Sequence, residues 1–291
     1  MTGSTLDYFR VKRVTRPGIV RQEDFRGIRR FASQRYDGTM FRLRIPLAAA
    51  LIVPGFASDP QGLKTATTHP IQYYVSLPKG WSGDRTWPVV LIIEAAEREF
   101  LKTLKVFEKA RGDHPFILVT PLVTTNGGAN YRQAETYHYS EETWAKIQEN
   151  RCGFDFDGIA AVAADVRKLY HGESQYFLTG WEAGGHTVWA LLFTHPDEVR
   201  AAAPAVTNYA ARCLEGGFSN SPIRVNLPVK VFQVDIERDK APGRYVYMQS
   251  QEAMKTAREH GFRNVTERLA AGRPHGPLAD EVLEYFAGVA R

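Results

Sequence analysis

The chain's most chemically suggestive segment is Tyr176-Phe177-Leu178-Thr179-Gly180-Trp181-Glu182-Ala183-Gly184-Gly185-His186. A β-rich run passes directly into a helix-forming run, with glycine two residues before Glu182 and two and three residues after it. This spacing suits a sharp strand-to-helix turn, in which side-chain bulk at the flanking positions would clash. Glu182, at the tip, is lifted above the strand ends beside a helix N-terminus, where the helix dipole favours its charged form. A carboxylate so placed has four possible uses. It can attack carbon as a nucleophile, share a proton with a second acid, help to hold a cation, or bind a ligand without chemistry. Two other segments carry polar groups at the ends of apolar runs. They are Glu94-Ala95-Ala96-Glu97 and Gly272-Arg273-Pro274-His275-Gly276. Taken alone, Glu94 reads as a strand-end acid facing solvent. His186 reads as a helix-surface or internally satisfied histidine and not as a ligand.

The elements that must position these groups alternate in type. Ile71–Leu77, Pro88–Ile93, Pro115–Pro121, Gln175–Gly180, Val199–Val206, Val229–Ile236 and Asn264–Leu269 read as strands, several of them continuous apolar runs. Glu97–Ala110, Asp157–Tyr170, Ala183–Thr194, Arg244–His260 and Ala279–Ala290 have helical spacing. Alternation of this kind predicts an α/β fold, a mostly parallel central sheet with helices on both faces. Leu122–Ser140 is a long polar stretch holding Tyr131, Tyr137 and Tyr139, of the kind that is functional or mobile in a compact domain.

With these residues in view, Gly180–Gly185 resembles the nucleophile elbow of the α/β-hydrolases. Within that superfamily the chain is similar to secreted polyhydroxybutyrate depolymerases and feruloyl esterases. The resemblance covers roughly residues 70–291 and extends to Trp189, Pro196, the small-residue strand Ala201–Val206 and the closing histidine loop. It implies an esterase-like site for a small-molecule or polymer ester-like ligand. The implied triad is Glu182, Asp239 and His275, with Asp235 as the alternative acid, in the chain order of this fold. Glu94, Ala95, Ala96, Ala183 and Trp181 would line the oxyanion pocket. Two positions depart from the family pattern. The elbow serine is Glu182, and the His-Gly-Gly or His-Gly-x oxyanion loop reads Glu94-Ala95-Ala96-Glu97. The resemblance therefore implies that ordinary serine acyl transfer is absent. Gly217-Phe218-Ser219-Asn220-Ser221 supplies no substitute, because it lacks the second glycine, precedes Pro222 and reads as a loop.

Composition limits the remaining classes. The net charge of +5 arises at the N-terminus, since residues 1–45 hold eleven Lys/Arg against four acids and leave about −2 for the rest. That asymmetry gives no reason to expect nucleic-acid binding by the folded body. Arg42 and Arg44, an apolar run from Ile45 to Val53, and Gly55-Phe56-Ala57 before Ser58 follow the order of a secretory signal. The run is too short to span a bilayer. This reading makes Met40 the start, residues 1–39 a disordered or mis-annotated extension, residues 40–57 the signal and 58–291 the hydrolase-like domain, in a secreted or periplasmic protein. The two cysteines, Cys152 and Cys213, permit one disulfide or two buried thiols. They lack metal-ligand spacing, and no glycine-rich dinucleotide turn follows the first strand, so no motif implies a metal or cofactor.

Overall fold

A computed structural model describes residues 62–128, 131–133, 135–235 and 243–291. The proposed signal and its N-terminal extension lie outside the described residues, as does Asp239. The elements in chain order are β1 (Lys64–Thr65), β2 (Gln72–Ser76), β3 (Trp87–Ile93), α1 (Phe100–Arg111), β4 (Ile117–Pro121), α2 (Glu141–Glu149), α3 (Arg151–Tyr170), β5 (Gly172–Glu182), α4 (Gly185–Thr194), β6 (Val199–Thr207), β7 (Val229–Gln233), α5 (Gly243–Glu259), β8 (Val265–Leu269) and α6 (Ala279–Ala290).

These form an eight-stranded sheet in the order β1-β2-β4-β3-β5-β6-β7-β8. β1 and β2 run antiparallel, and every pairing from β4 to β8 is parallel. Alternate residues of each strand serve opposite layers. Val90, Ile92, Leu118 and Phe177 pack with Leu104 and Phe107 of α1 and Val282 and Phe286 of α6. Val89, Leu91, Ile93 and Leu178 pack with Ile159 and Val162 of α3, Val188 and Trp189 of α4, and Met254 of α5. Burial on both faces is why the central strands read as unbroken apolar runs. Each fully buried large side chain of this kind contributes about 1.5–3 kcal/mol.

The strand order also fixes where a site can form. From β3 the chain crosses to β4 on one side, whereas from β5 it moves to β6 on the other. The carboxyl ends of β3 and β5 therefore flank the point where the winding reverses, and open α/β sheets leave a crevice there. Glu94 and Glu182 stand at those two strand ends.

Two helical features were not foreseen. α2 starts at Ser140, whose hydroxyl accepts from the Thr143 N–H at 3.2 Å, with Glu141 and Glu142 in its first turn. Asn150 then ends α2 and caps α3 by accepting from the Gly153 N–H at 2.8 Å, so α3 begins six residues before the expected Asp157. The 122–140 stretch, in its described residues, is tied down by its aromatics. The hydroxyl of Tyr137 donates to the Val123 carbonyl at 2.6 Å and that of Tyr139 to Leu122 at 3.1 Å. Both rings meet Trp144 of α2 edge-on, at 5.7 and 5.4 Å.

Candidate functional site

Glu182 adopts φ +47°, the left-handed region that costs a non-glycine residue about 1–2 kcal/mol. The surrounding glycines show why the turn cannot relax. A Cβ on Gly180 would lie 2.7 Å from Val188 Cγ2 and 2.8 Å from the Ile93 carbonyl oxygen. One on Gly184 would lie 2.5 Å from that same carbonyl and 2.7 Å from the Glu94 carbonyl. One on Gly185 would strike the Thr207 side chain and sit 2.6 Å from the Asn208 carbonyl oxygen. The start of α4 thus nests against the ends of β3 and β6, and the Asn208 N–H donates to the Glu182 carbonyl at 2.8 Å.

The opposite wall is the 94–99 loop. Its Ala96 N–H points at the Glu182 carboxylate, 3.3 Å from Oε2. The Asn126 amide braces this loop by donating to the carbonyls of Glu94 at 2.8 Å and Ala95 at 2.9 Å. Arg98 takes the positive φ, +58°, that turns the chain into α1. Ala95 is buried and Ala96 half-buried.

Glu94 does not face solvent. Its exposure is 0%, a correction to the strand-end reading. Burial pushes its carboxyl above the usual range, against weaker opposing effects from the Thr103 hydroxyl, the Glu99 N–H and the Trp181 indole. Neither carboxylate oxygen makes a well-formed hydrogen bond among the described residues, so the neutral form is the one this environment favours. Glu97 is the acid that adds to the upward shift. The groups acting on Glu94 therefore lie toward α1 and Trp181, which lends no support to a proton shared with Glu182.

His275 is exposed, and its ring lies 5.9 Å, centroid to centroid, from that of Trp181, the residue before Glu182. Its loop is held from both sides. The Gly272 N–H donates to Asp235 Oδ2 at 2.7 Å, just past the end of β7. Arg273 pairs with Asp280 at 3.0 Å and Glu281 at 2.9 Å at the start of α6. The structure thus gathers Trp181, Glu182, Ala183, Glu94, Ala95, Ala96 and His275 at one end of the sheet.

No family model matches the chain, and neither does any curated protein. Solved structures do match. Esterase PE8 superposes with a TM-score of 0.53 at 16% identity over 76% of this chain and 98% of its own. The poly(3-hydroxybutyrate) depolymerase LpqC from Bordetella parapertussis gives 0.51 at 15% identity, over 76% and 84%. A putative dienelactone hydrolase from Klebsiella pneumoniae gives 0.51 at 16%, over 79% and 96%. The chain spans 59% of the length of a thermostable esterase, with a TM-score of 0.47.

The chain has the α/β-hydrolase fold.

In this α/β-hydrolase fold, several polar residues behind the elbow had no signal in the sequence. Asp155 of α3 is fully buried and accepts from the N–H groups of Thr124 and Thr125 at 2.8 and 2.7 Å and from their hydroxyls at 3.1 and 2.7 Å. Burial raises its carboxyl to about 6 despite those bonds. The Thr125 hydroxyl continues to that of Thr187 on α4 at 2.7 Å. His186 corrects the sequence reading twice, being 8% exposed and having Nδ1 without a hydrogen-bond partner among the described residues. Burial, and then Arg212, lowers its pKa to about 4, so the ring is neutral at pH 7. Cys152 and Cys213 form a disulfide with Cα atoms 5.4 Å apart, joining the start of α3 to the segment after β6. Among the described residues no cluster of His, Cys, Asp and Glu could hold a metal ion, and no helix is long and apolar enough to cross a membrane.

Proposed function

We propose that this α/β-hydrolase fold carries an esterase-like pocket with a degenerate triad of Glu182, Asp239 and His275, kept for binding an ester-like ligand and lacking ordinary serine esterase activity. One observation carries the reading, the Ala96 N–H placed 3.3 Å from Glu182 Oε2. In an esterase the backbone donor at this position holds the oxygen on which charge develops. Here the protein's own carboxylate takes that donor. It blocks the oxyanion position with negative charge, and it offers no hydroxyl for a histidine to activate.

The test is hydrolysis of short-chain aryl esters and feruloyl esters by wild type, Glu182→Ser and Glu182→Gln. Wild type is expected to show no turnover above a buffer control. Glu182→Ser is expected to gain at most a weak activity, since one poorly formed oxyanion donor typically costs about 10²–10³-fold in rate. Robust wild-type turnover that disappears in Glu182→Gln would overturn the binding reading and make Glu182 a carboxylate nucleophile. We place the mature protein outside the cytoplasm, beginning near Ser58. The disulfide supports this, because such bonds persist in oxidising compartments. N-terminal sequencing of natively produced protein checks it, and a mature chain retaining residues 1–57 would reject it.

A further inference from the structure

Beside the elbow, three arginines converge, and none of them forms an ion pair among the described residues. The disulfide is flanked by Arg151 and Arg212, each immediately before one of its cysteines, so a covalent bond between residues with Cα atoms 5.4 Å apart holds two like charges in one neighbourhood. Arg151 Nη2 donates to the Gly127 carbonyl at 2.9 Å, and its guanidinium lies 3.9 Å over the Tyr131 ring. The Arg98 guanidinium comes from the other side and packs on Gly127 itself, where a Cβ would stand 2.9 Å from its Cζ. Gly127 follows Asn126, whose amide braces the loop that donates to Glu182.

Several arginines elsewhere in the protein face acids. Arg132 pairs with Glu141, Arg200 with Glu173, and Arg273 with Asp280 and Glu281. Arg98, Arg151 and Arg212 make no ion pair among the described residues. Arg98 Nε and Arg151 Nε are buried without a hydrogen-bond partner among the described residues. Asp155, the acid that acts on Arg151, already accepts four hydrogen bonds from Thr124 and Thr125. Burial lowers the Arg151 pKa, Asp155 opposes that fall and Arg212 adds to it, while at His186 burial and then Arg212 act in the same downward direction. Buried donors left open, with like charges held together covalently, are costly unless something of opposite charge comes to them.

We propose that Arg98, Arg151 and Arg212 form an anion clamp at the mouth of the Glu182 crevice, which takes the oxyanion group, carboxylate or phosphate, of a ligand. The guanidinium fork matches the geometry of either group and binds it through paired charge-assisted hydrogen bonds. The ligand's other end then reaches the crevice between the ends of β3 and β5. This deepens the binding reading by giving the ligand a charged terminus. It is nonetheless measured without ester turnover, so it stands or falls separately from the role of Glu182.

Isothermal titration of the oxidised, full-length protein with inorganic phosphate and with succinate, at low ionic strength, tests the clamp. One site per chain is expected. Its Kd should rise about tenfold or more in Arg212→Gln and in Arg151→Gln, and stay unchanged in Arg200→Gln, whose partner is Glu173. Arg212 is exposed, so its replacement leaves the core intact and keeps the test valid if the Arg151 variant fails to fold. Binding of one anion alone would support the clamp and name its ligand class. Failure of wild type to bind either anion, or an Arg212→Gln protein that binds both as tightly as wild type, would overturn it.

Discussion

His186 shows how far a single residue can depart from what its neighbours in the sequence suggest. It follows Gly185 at the start of α4, where an exposed or capped histidine is ordinary, yet every residue from Gly185 to Phe193 is buried. A helix buried all round has no polar face on which to place a histidine, so its burial could not be read from residue types alone. The consequence is measurable. The folded state releases the His186 proton at about pH 4, whereas an unfolded histidine does so near 6.5. The unfolded chain therefore takes up the proton first on acidification. The stability that neutral His186 permits is full above about pH 6.5 and is lost as the pH falls toward 4, by about 2 kcal/mol between pH 7 and pH 4.5. Asp155 slopes the opposite way, its raised pKa of about 6 costing stability as the pH climbs from about 4 toward 6. Comparison of wild type with His186→Leu cancels Asp155 and isolates the histidine. In urea unfolding the Leu variant should gain on wild type by about 2 kcal/mol as the pH is lowered from 7 to 4.5. Parallel curves would show that the ring titrates normally. Glu94 was hidden for a similar reason, since in Glu94-Ala95-Ala96-Glu97 it looks like its neighbour Glu97, which is exposed, while it is fully enclosed.

At the scale of elements, the β5–α4 turn was the most readable part of the chain, because glycine is demanded there by backbone and not by taste. Gly184 faces the Ile93 and Glu94 carbonyls at distances no side chain could accept, and neither carbonyl can move without disturbing the end of β3. Gly184→Ala is therefore expected to cost more than about 3 kcal/mol or to prevent folding. Gly216→Ala, at a site with nothing within 4 Å of the added carbon, should fall within about 0.5 kcal/mol of wild type. Equilibrium denaturation of the two proteins reads the contrast, and equal stabilities would deny that packing dictates the glycine. The parallel strands were legible for the same kind of reason, their double burial leaving apolar runs that only helices on both faces explain. The break between α2 and α3 was not legible. Gly153 in the first turn of α3 and Asn150 before it look like loop residues until the Asn150 side chain is seen to cap the helix. Nor was the Asp155 network, whose partners Thr124 and Thr125 lie about thirty residues upstream, in a stretch with no periodicity of its own.

Across the whole molecule, the Cys152–Cys213 bond joins positions 61 residues apart and closes a circuit that contains most of α3, all of β5, the elbow, α4 and β6. Entropy lost by the unfolded chain on closing a loop of that length is worth about 4 kcal/mol in the chain-entropy account. The circuit has a mechanical meaning as well. A protein pulled by its two ends carries the load through the disulfide and not through the residues between its cysteines. Force would peel away the strands on either flank while the Glu182 turn and its two central strands stayed slack. In single-molecule stretching, the fully extended oxidised chain should be shorter than the reduced one by roughly 200 Å, at about 3.3–3.6 Å per residue hidden in the loop. An unchanged contour length after reduction would contradict the bond. The two strands that carry the Glu182 turn, β5 and β6, are thus the part of the sheet that tension on the chain ends does not reach.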